Sequence, residues 1–198
     1  RMFQQLVKIG FKEIEVGFPS ASQTDFDFVR LLIEGGHIPQ DVSIQVLTQA
    51  RSHLIERTFE ALDGAQRVIV HVYNAVAPIM RRVVLGQDED GIVELAASHA
   101  RQIKQLADAR PGTDWRFEYS PEMFSGTELA FSKRVVDAVT AVWAPTPERK
   151  CIINLPSTVE HSTPNIFADM IEWMHRHLER RDAMEAGRAA LVFALLVV

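Results

Sequence analysis

Residues 115–122 read W-R-F-E-Y-S-P-E, and this stretch decides the fold. Trp115, Phe117 and Tyr119 alternate with Arg116 and Glu118, the period of two that marks a strand. Pro121 lacks a backbone donor and is expected to stop the ladder there. A hydroxyl, Ser120, and a carboxylate, Glu122, therefore fall at the C-terminal mouth of a strand. Where parallel strands close into a barrel, that end carries the chemistry.

Working outward, the same unit recurs. Upstream, residues 67–73 (R-V-I-V-H-V-Y) are apolar enough for a strand buried on both faces. Residues 42–47 (V-S-I-Q-V-L) form a strand closed by Thr48-Gln49, and residues 13–18 (E-I-E-V-G-F) another, broken by Pro19. Downstream, residues 151–155 (C-I-I-N-L) form a strand cut by Pro156. Helical stripes separate these strands. They are Phe26, Val29, Leu32 and Ile33 behind a Ser22 cap; Leu54, Ile55, Thr58, Phe59 and Leu62; and Ile92, Leu95, Ala96, His99, Ile103 and Leu106. Two more follow: Leu129, Val135, Val136, Val139 and Val142, in a helix starting at Gly126-Thr127; and Ile166, Met170, Ile171, Trp173 and Met174 behind Thr163-Pro164. A leading helix carries Phe3, Leu6, Val7 and Ile9 and ends at Gly10. Residues 74–86, with Pro78 and the pair Arg81-Arg82, read as a loop. Five strand-helix units result, each long enough for a right-handed crossover between parallel strands. Periodicity alone leaves an open doubly wound sheet and a barrel both standing.

Composition narrows the function classes. The chain has 198 residues, 47% apolar and 24% charged, as in an ordinary globular protein. A complete (β/α)₈ barrel takes about 250 residues, with about 200 as the lower limit. A net charge of −5 supplies no basic footprint for nucleic acid. There is no G-x-G-x-x-G and no G-x-x-x-x-G-K phosphate loop. The single Cys151 cannot form an internal disulfide. The N-terminal residues open inside an amphipathic helix rather than a signal peptide, and the last ten residues are too few to span a bilayer. A cytoplasmic protein with no membrane partner is expected.

Five motifs together resemble 2-isopropylmalate synthase, in its long actinobacterial and fungal form. They are V-G-F-P-S-A-S at 16–22, V-H-V-Y-N at 70–74, R-F-E-Y-S-P-E at 116–122, A-P-T-P-E-R at 144–149 and N-L-P-S-T-V-E at 154–160. The resemblance covers residues 1–178 as part of a (β/α)₈ (TIM) barrel and leaves 179–198 as a divergent tail. It implies a Claisen condensation of acetyl-CoA with 2-oxoisovalerate, the committed step of leucine synthesis. It also implies a homodimer and a divalent zinc or magnesium acting as Lewis acid. Homocitrate and citramalate synthases are the nearest alternatives, and the Gly-Phe-Pro and Asn-Leu-Pro motifs favour the isopropylmalate branch.

Carried over residue by residue, the resemblance places His71 opposite the oxo acid, with Tyr73 on the same strand face. It places Ser120 and Glu122 beside the substrate, Glu122 as the catalytic carboxylate. Thr158 is to bind the substrate carboxylate, with Asn154 below it. The family's metal ligands are an Asp in an R-D-G-N-Q-like run and a later H-x-H pair on a strand; neither motif is found in this chain. The expected metal-ligand set here is therefore none, and the chain alone is expected to be inactive. A reading of a different class is a non-catalytic fragment or gene remnant with open sheet edges.

Blander readings stand beside these. Ser120 and Thr158 also suit caps or turns, and Asn154 a backbone bond. Glu118 is equally a barrel-interior, a surface or a functional carboxylate. His175 and His177 sit two apart on a helix, where side chains diverge, in a solvated charged stretch. His161 reads as a loop residue. For the tail, a strand on the open edge, a helix over residues 183–196 and disorder are the three readings, with helix favoured.

Overall fold

A computed structural model describes residues 1–184. Five strands form one parallel sheet in the order of the chain: β1 (Glu13–Glu15), β2 (Ser43–Gln49), β3 (Arg67–Ala75), β4 (Asp114–Glu122) and β5 (Ile152–Ile153). Helix α1 (Met2–Ile9) leads. The helices α2 (Gln23–Glu34), α3 (Ser52–Ala61), α4 (Glu89–Asp108), α5 (Leu129–Trp143) and α6 (Pro164–His177) follow the strands one by one. This is half of a (β/α)₈ barrel, as the family resemblance implied.

Local chemistry sets the element ends. Gly10 takes a left-handed φ of 108° and closes α1 by donating to Leu6 O and Val7 O. The Ser22 hydroxyl accepts from Asp25 N at 3.1 Å, capping α2. Asp88 caps α4 through Gly91 N at 2.8 Å. Pro164 occupies the first turn of α6, where a missing donor costs nothing.

The helix-facing side of the sheet is the core. Ile14, Ile44, Val46, Val68, Val70, Val72, Phe117 and Tyr119 are all buried there with Val29, Ile55, Phe59, Ile103 and Val135 from the helices. Phe59 meets Trp115 at a ring separation of 4.9 Å, and Phe117 stacks on Trp143 at 4.7 Å. Each such side chain contributes about 1.5–3 kcal/mol by burial. The sheet curves away from this layer. Arg116 on β4 pairs with Glu13 on β1, three strand spacings away, which in a flat sheet would be about 14 Å.

Four local expectations need correction. Pro121 does not end β4, which runs to Glu122 with Pro121 registered against Asn74. Tyr119 O accepts from Asn154 N, and Glu122 O from Val76 N. By alternation the missing Pro121 donor faces β5, which has already stopped pairing, so no ladder bond is lost. Residues 74–86 are not all loop: β3 continues to Ala75 and Met80–Leu85 form a π-helical turn. Arg81 anchors that turn. It donates to Val76 O and to both carboxylate oxygens of Glu128, and lies over the Phe131 ring. The fifth helix starts at Leu129, after a short 3₁₀ turn at Phe124–Gly126, rather than at Gly126. Ile166 is exposed, because Phe167 takes the inward position against Phe124.

After α6, Arg181–Ala183 make a 3₁₀ turn, and Met184 bridges to Cys151 in parallel sense. Met184 thus lies alongside β5. The helix expected over residues 183–196 lies, beyond Met184, outside the described residues.

Candidate active site

Strand parity places the polar residues. In parallel register, Ile44 pairs with Val68 and His71 with Glu118, so paired residues share a face. The face opposite the core carries Glu13 and Glu15 on β1, Gln45 on β2 and His71 and Tyr73 on β3. It continues with Arg116, Glu118, Ser120 and Glu122 on β4 and, beyond β5, Asn154. The curvature turns this concave face into the lumen of the half-barrel.

There the sequence-predicted residues meet. His71, only 5% exposed, sets its Nε2 2.6 Å from Ser120 Oγ. Asn154 Nδ2 donates to the same Oγ at 2.9 Å. Burial presses the His71 imidazole down to about pKa 4, so the ring is neutral at pH 7. Nearer the mouth, Thr158 Oγ1 donates to Glu122 Oε1 at 2.5 Å and accepts from Met123 N at 3.2 Å. Met123 has a φ of 63°, an unusual left-handed position for a residue with a side chain. That bend brings its amide onto Thr158 and ties the end of β4 to the loop after β5. The half-buried Tyr73 has its phenol pKa raised, by burial first and by the Glu122 charge second. Five of the six predicted residues therefore lie on the lumenal face, and Thr158 joins them from the loop after β5 through Glu122. They form two hydrogen-bonded groups, His71–Ser120–Asn154 and Glu122–Thr158, with Tyr73 beside Glu122.

A family model described as HMGL-like matches residues 1–186. The chain belongs to the HMGL-like family. The 2-isopropylmalate synthase of an Azoarcus species is 66% identical over 184 residues, 93% of this chain and 32% of that protein. The 2-isopropylmalate synthase of Paraburkholderia xenovorans is 64% identical over the same shares. That of Kineococcus radiotolerans is 62% identical over 182 residues, 92% of this chain and 32% of its own. The chain thus spans about a third of the length of the curated relatives it matches.

Two residues of the lumen, Gln45 and Glu15, have no role in the sequence reading, and a third, Glu118, stands there between an interior, a surface and a functional carboxylate. Gln45 Nε2 lies 3.2 Å from Glu15 Oε2 and 3.4 Å from His71 Nδ1. Glu118, 2% exposed, has its Oε1 3.5 Å from the same Nδ1. The signal was present as matching parity: Glu13 and Glu15, Ser43 and Gln45, and Arg116, Glu118 and Ser120 are polar at every second position. The other histidines stay apart. The His177 ring stacks on Trp173 and bonds its carbonyl, His175 is exposed, and His161 packs on Gly126. Asn74 lies on the core face, where its Oδ1 accepts from the Tyr119 hydroxyl at 2.8 Å.

The divalent metal implied by the resemblance does not fit what is present. Among the described residues, no group of three or more His, Cys, Asp or Glu side chains is placed to hold a metal ion. Glu13 is engaged by Arg116, Glu15 by Gln45, and His71 has a neighbour at each ring nitrogen. No described helix is long and apolar enough to cross a membrane.

Proposed function

We propose that this chain forms the substrate-facing half of a barrel that carries out the 2-isopropylmalate synthase reaction. In that reaction a base removes a methyl proton from acetyl-CoA. The methyl carbon bonds to the carbonyl carbon of 2-oxoisovalerate, and the carbonyl oxygen gains a proton. Water then breaks the thioester, releasing CoA thiol and a carboxylate. Glu122 is the carboxylate at the reacting centre, held in place by Thr158. Ser120 and Asn154 offer hydrogen bonds to substrate oxygens, backed by His71. Thr158 turns its single hydroxyl hydrogen from Glu122 to the oxo-acid carboxylate when that substrate binds, and Tyr73 flanks Glu122. One observation carries the reading: five of these side chains share the lumenal face and the sixth, Thr158, bonds Glu122 from the adjoining loop, in a chain 66% identical to a protein named for this reaction. The zinc or magnesium ion of the family enters the proposal only with donors from outside the described residues. Homodimerisation and a cytoplasmic location belong to the same proposal.

The decisive experiment is a chimera in which residues 1–184 replace the matching segment of the Azoarcus enzyme. CoA release is then measured with 2-oxoisovalerate, 2-oxoglutarate and pyruvate. Turnover is expected with 2-oxoisovalerate, falling about 100-fold or more in Glu122→Gln. A folded chimera that prefers 2-oxoglutarate or pyruvate would move the assignment to a homocitrate- or citramalate-forming enzyme. A folded chimera with no condensation would sink it. The 198-residue chain alone, assayed with added zinc or magnesium, is expected at background. Turnover by it that vanishes in Glu122→Ala would overturn the claim that it needs missing donors.

A further inference from the structure

The lumenal hydrogen bonds run in one direction. Glu15 Oε2 faces Gln45 Nε2 at 3.2 Å. An amide beside a carboxylate presents its NH₂, since its oxygen would meet another acceptor. The second hydrogen of that NH₂ faces His71 Nδ1 at 3.4 Å, and only an unprotonated Nδ1 can accept it. The ring proton then sits on Nε2, 2.6 Å from Ser120 Oγ. Asn154 Nδ2 gives a second hydrogen to the same oxygen at 2.9 Å. With both lone pairs of Ser120 occupied, its own hydroxyl hydrogen is left for another acceptor.

We infer that Glu15 and Gln45 are positioning residues that hold His71 as the neutral Nε2-protonated tautomer, and so make Ser120 a hydrogen-bond donor to an oxygen of the bound oxo acid. The oxo acid rests on the proposed function; the tautomer does not. Burial of the ring, which keeps it uncharged, agrees with it.

Glu118 is the competitor. Its Oε1 lies 3.5 Å from the same Nδ1, whereas the Gln45 contact meets hydrogen-bond geometry. Were Glu118 in control, the proton would sit on Nδ1, and Ser120 would donate to Nε2 in a serine–histidine–carboxylate arrangement. Tyr73 and Glu122 lie toward the mouth beyond these groups.

The test is a long-range ¹H–¹⁵N correlation spectrum of the 198-residue chain with labelled histidine at neutral pH, His71 being assigned by its loss in His71→Gln. A protonated Nε2 and a bare Nδ1 are expected. A protonated Nδ1, or a charged ring, would overturn the inference in favour of Glu118. Gln45→Met, which removes the donor at similar volume, is expected to give a mixed or reversed tautomer. Glu15→Gln, at the sheet edge, frees the Gln45 amide to turn over and serves if Gln45→Met does not fold. An unchanged Nε2–H tautomer in a folded variant of either kind also overturns it. An Nε2–H tautomer alongside a chimera that does not condense the oxo acid would sink only the functional reading.

Discussion

On its helix-facing side the sheet presents Ile44, Val46, Val68, Val70, Val72, Phe117 and Tyr119; on its lumenal side the same strands present Gln45, His71, Glu118 and Ser120. Both sets are buried. The first is held by area and packing, which are non-directional. The second is held by hydrogen bonds and charge, which need particular partners at particular distances. One face therefore sets how much stability the domain has. The other sets which side chains meet at the rim and how stability responds to pH.

The comparison can be broken first on the core side. Phe117→Ala removes a ring stacked on Trp143 and is expected to cost about 3–5 kcal/mol in urea unfolding. A loss under about 1 kcal/mol would mean that this layer does not carry the fold.

The next largest effect is lumenal. His71 has a folded pKa of about 4, below its ordinary 6.5, so an unfolded chain takes up the proton first as pH falls. The contribution is complete above about pH 6.5 and declines by about 1.4 kcal/mol per pH unit down to about pH 4. Between pH 7 and 4.5 the chain is expected to lose about 3 kcal/mol more than His71→Gln. Equal losses in the two proteins would remove His71 from the set of groups buried in neutral form.

The smallest stability effect sharpens the comparison at the rim. Glu122→Gln keeps shape and an acceptor for Thr158, and is expected to change unfolding free energy by about 0.5 kcal/mol or less. A large loss would make Glu122 a structural carboxylate and not one kept for chemistry.

Much of the fold was legible because its signals are local. The alternation in residues 115–122, the Ser22 cap, Gly10 and Thr163-Pro164 each act within a turn or a strand, and each appears where expected. Local signals also misled. Pro121 reads as a stop in isolation, but its missing donor points to a side where no partner remains. Residues 74–86 read as a loop from Pro78 and the pair Arg81-Arg82, but residues 80–85 form a turn shaped by Arg81 reaching Glu128, 47 positions away. At the site, the family resemblance singled out His71, Tyr73, Ser120, Glu122, Asn154 and Thr158; the first five lie on the lumenal face and Thr158 bonds Glu122 from the loop after β5. It passed over Gln45 and Glu15, whose importance lies in what stands next to them.

By itself the sequence determined the alternation of strands and helices, the parity of each strand and the family, since each is written in neighbouring residues or in matching motifs. Tertiary structure decided that Glu15, Gln45, His71, Ser120 and Asn154 form one hydrogen-bonded line and that Arg116 closes onto Glu13. These contacts join residues 26 to 103 positions apart. Only inter-strand register and sheet curvature set such distances, and neither is carried by any single stretch of the chain.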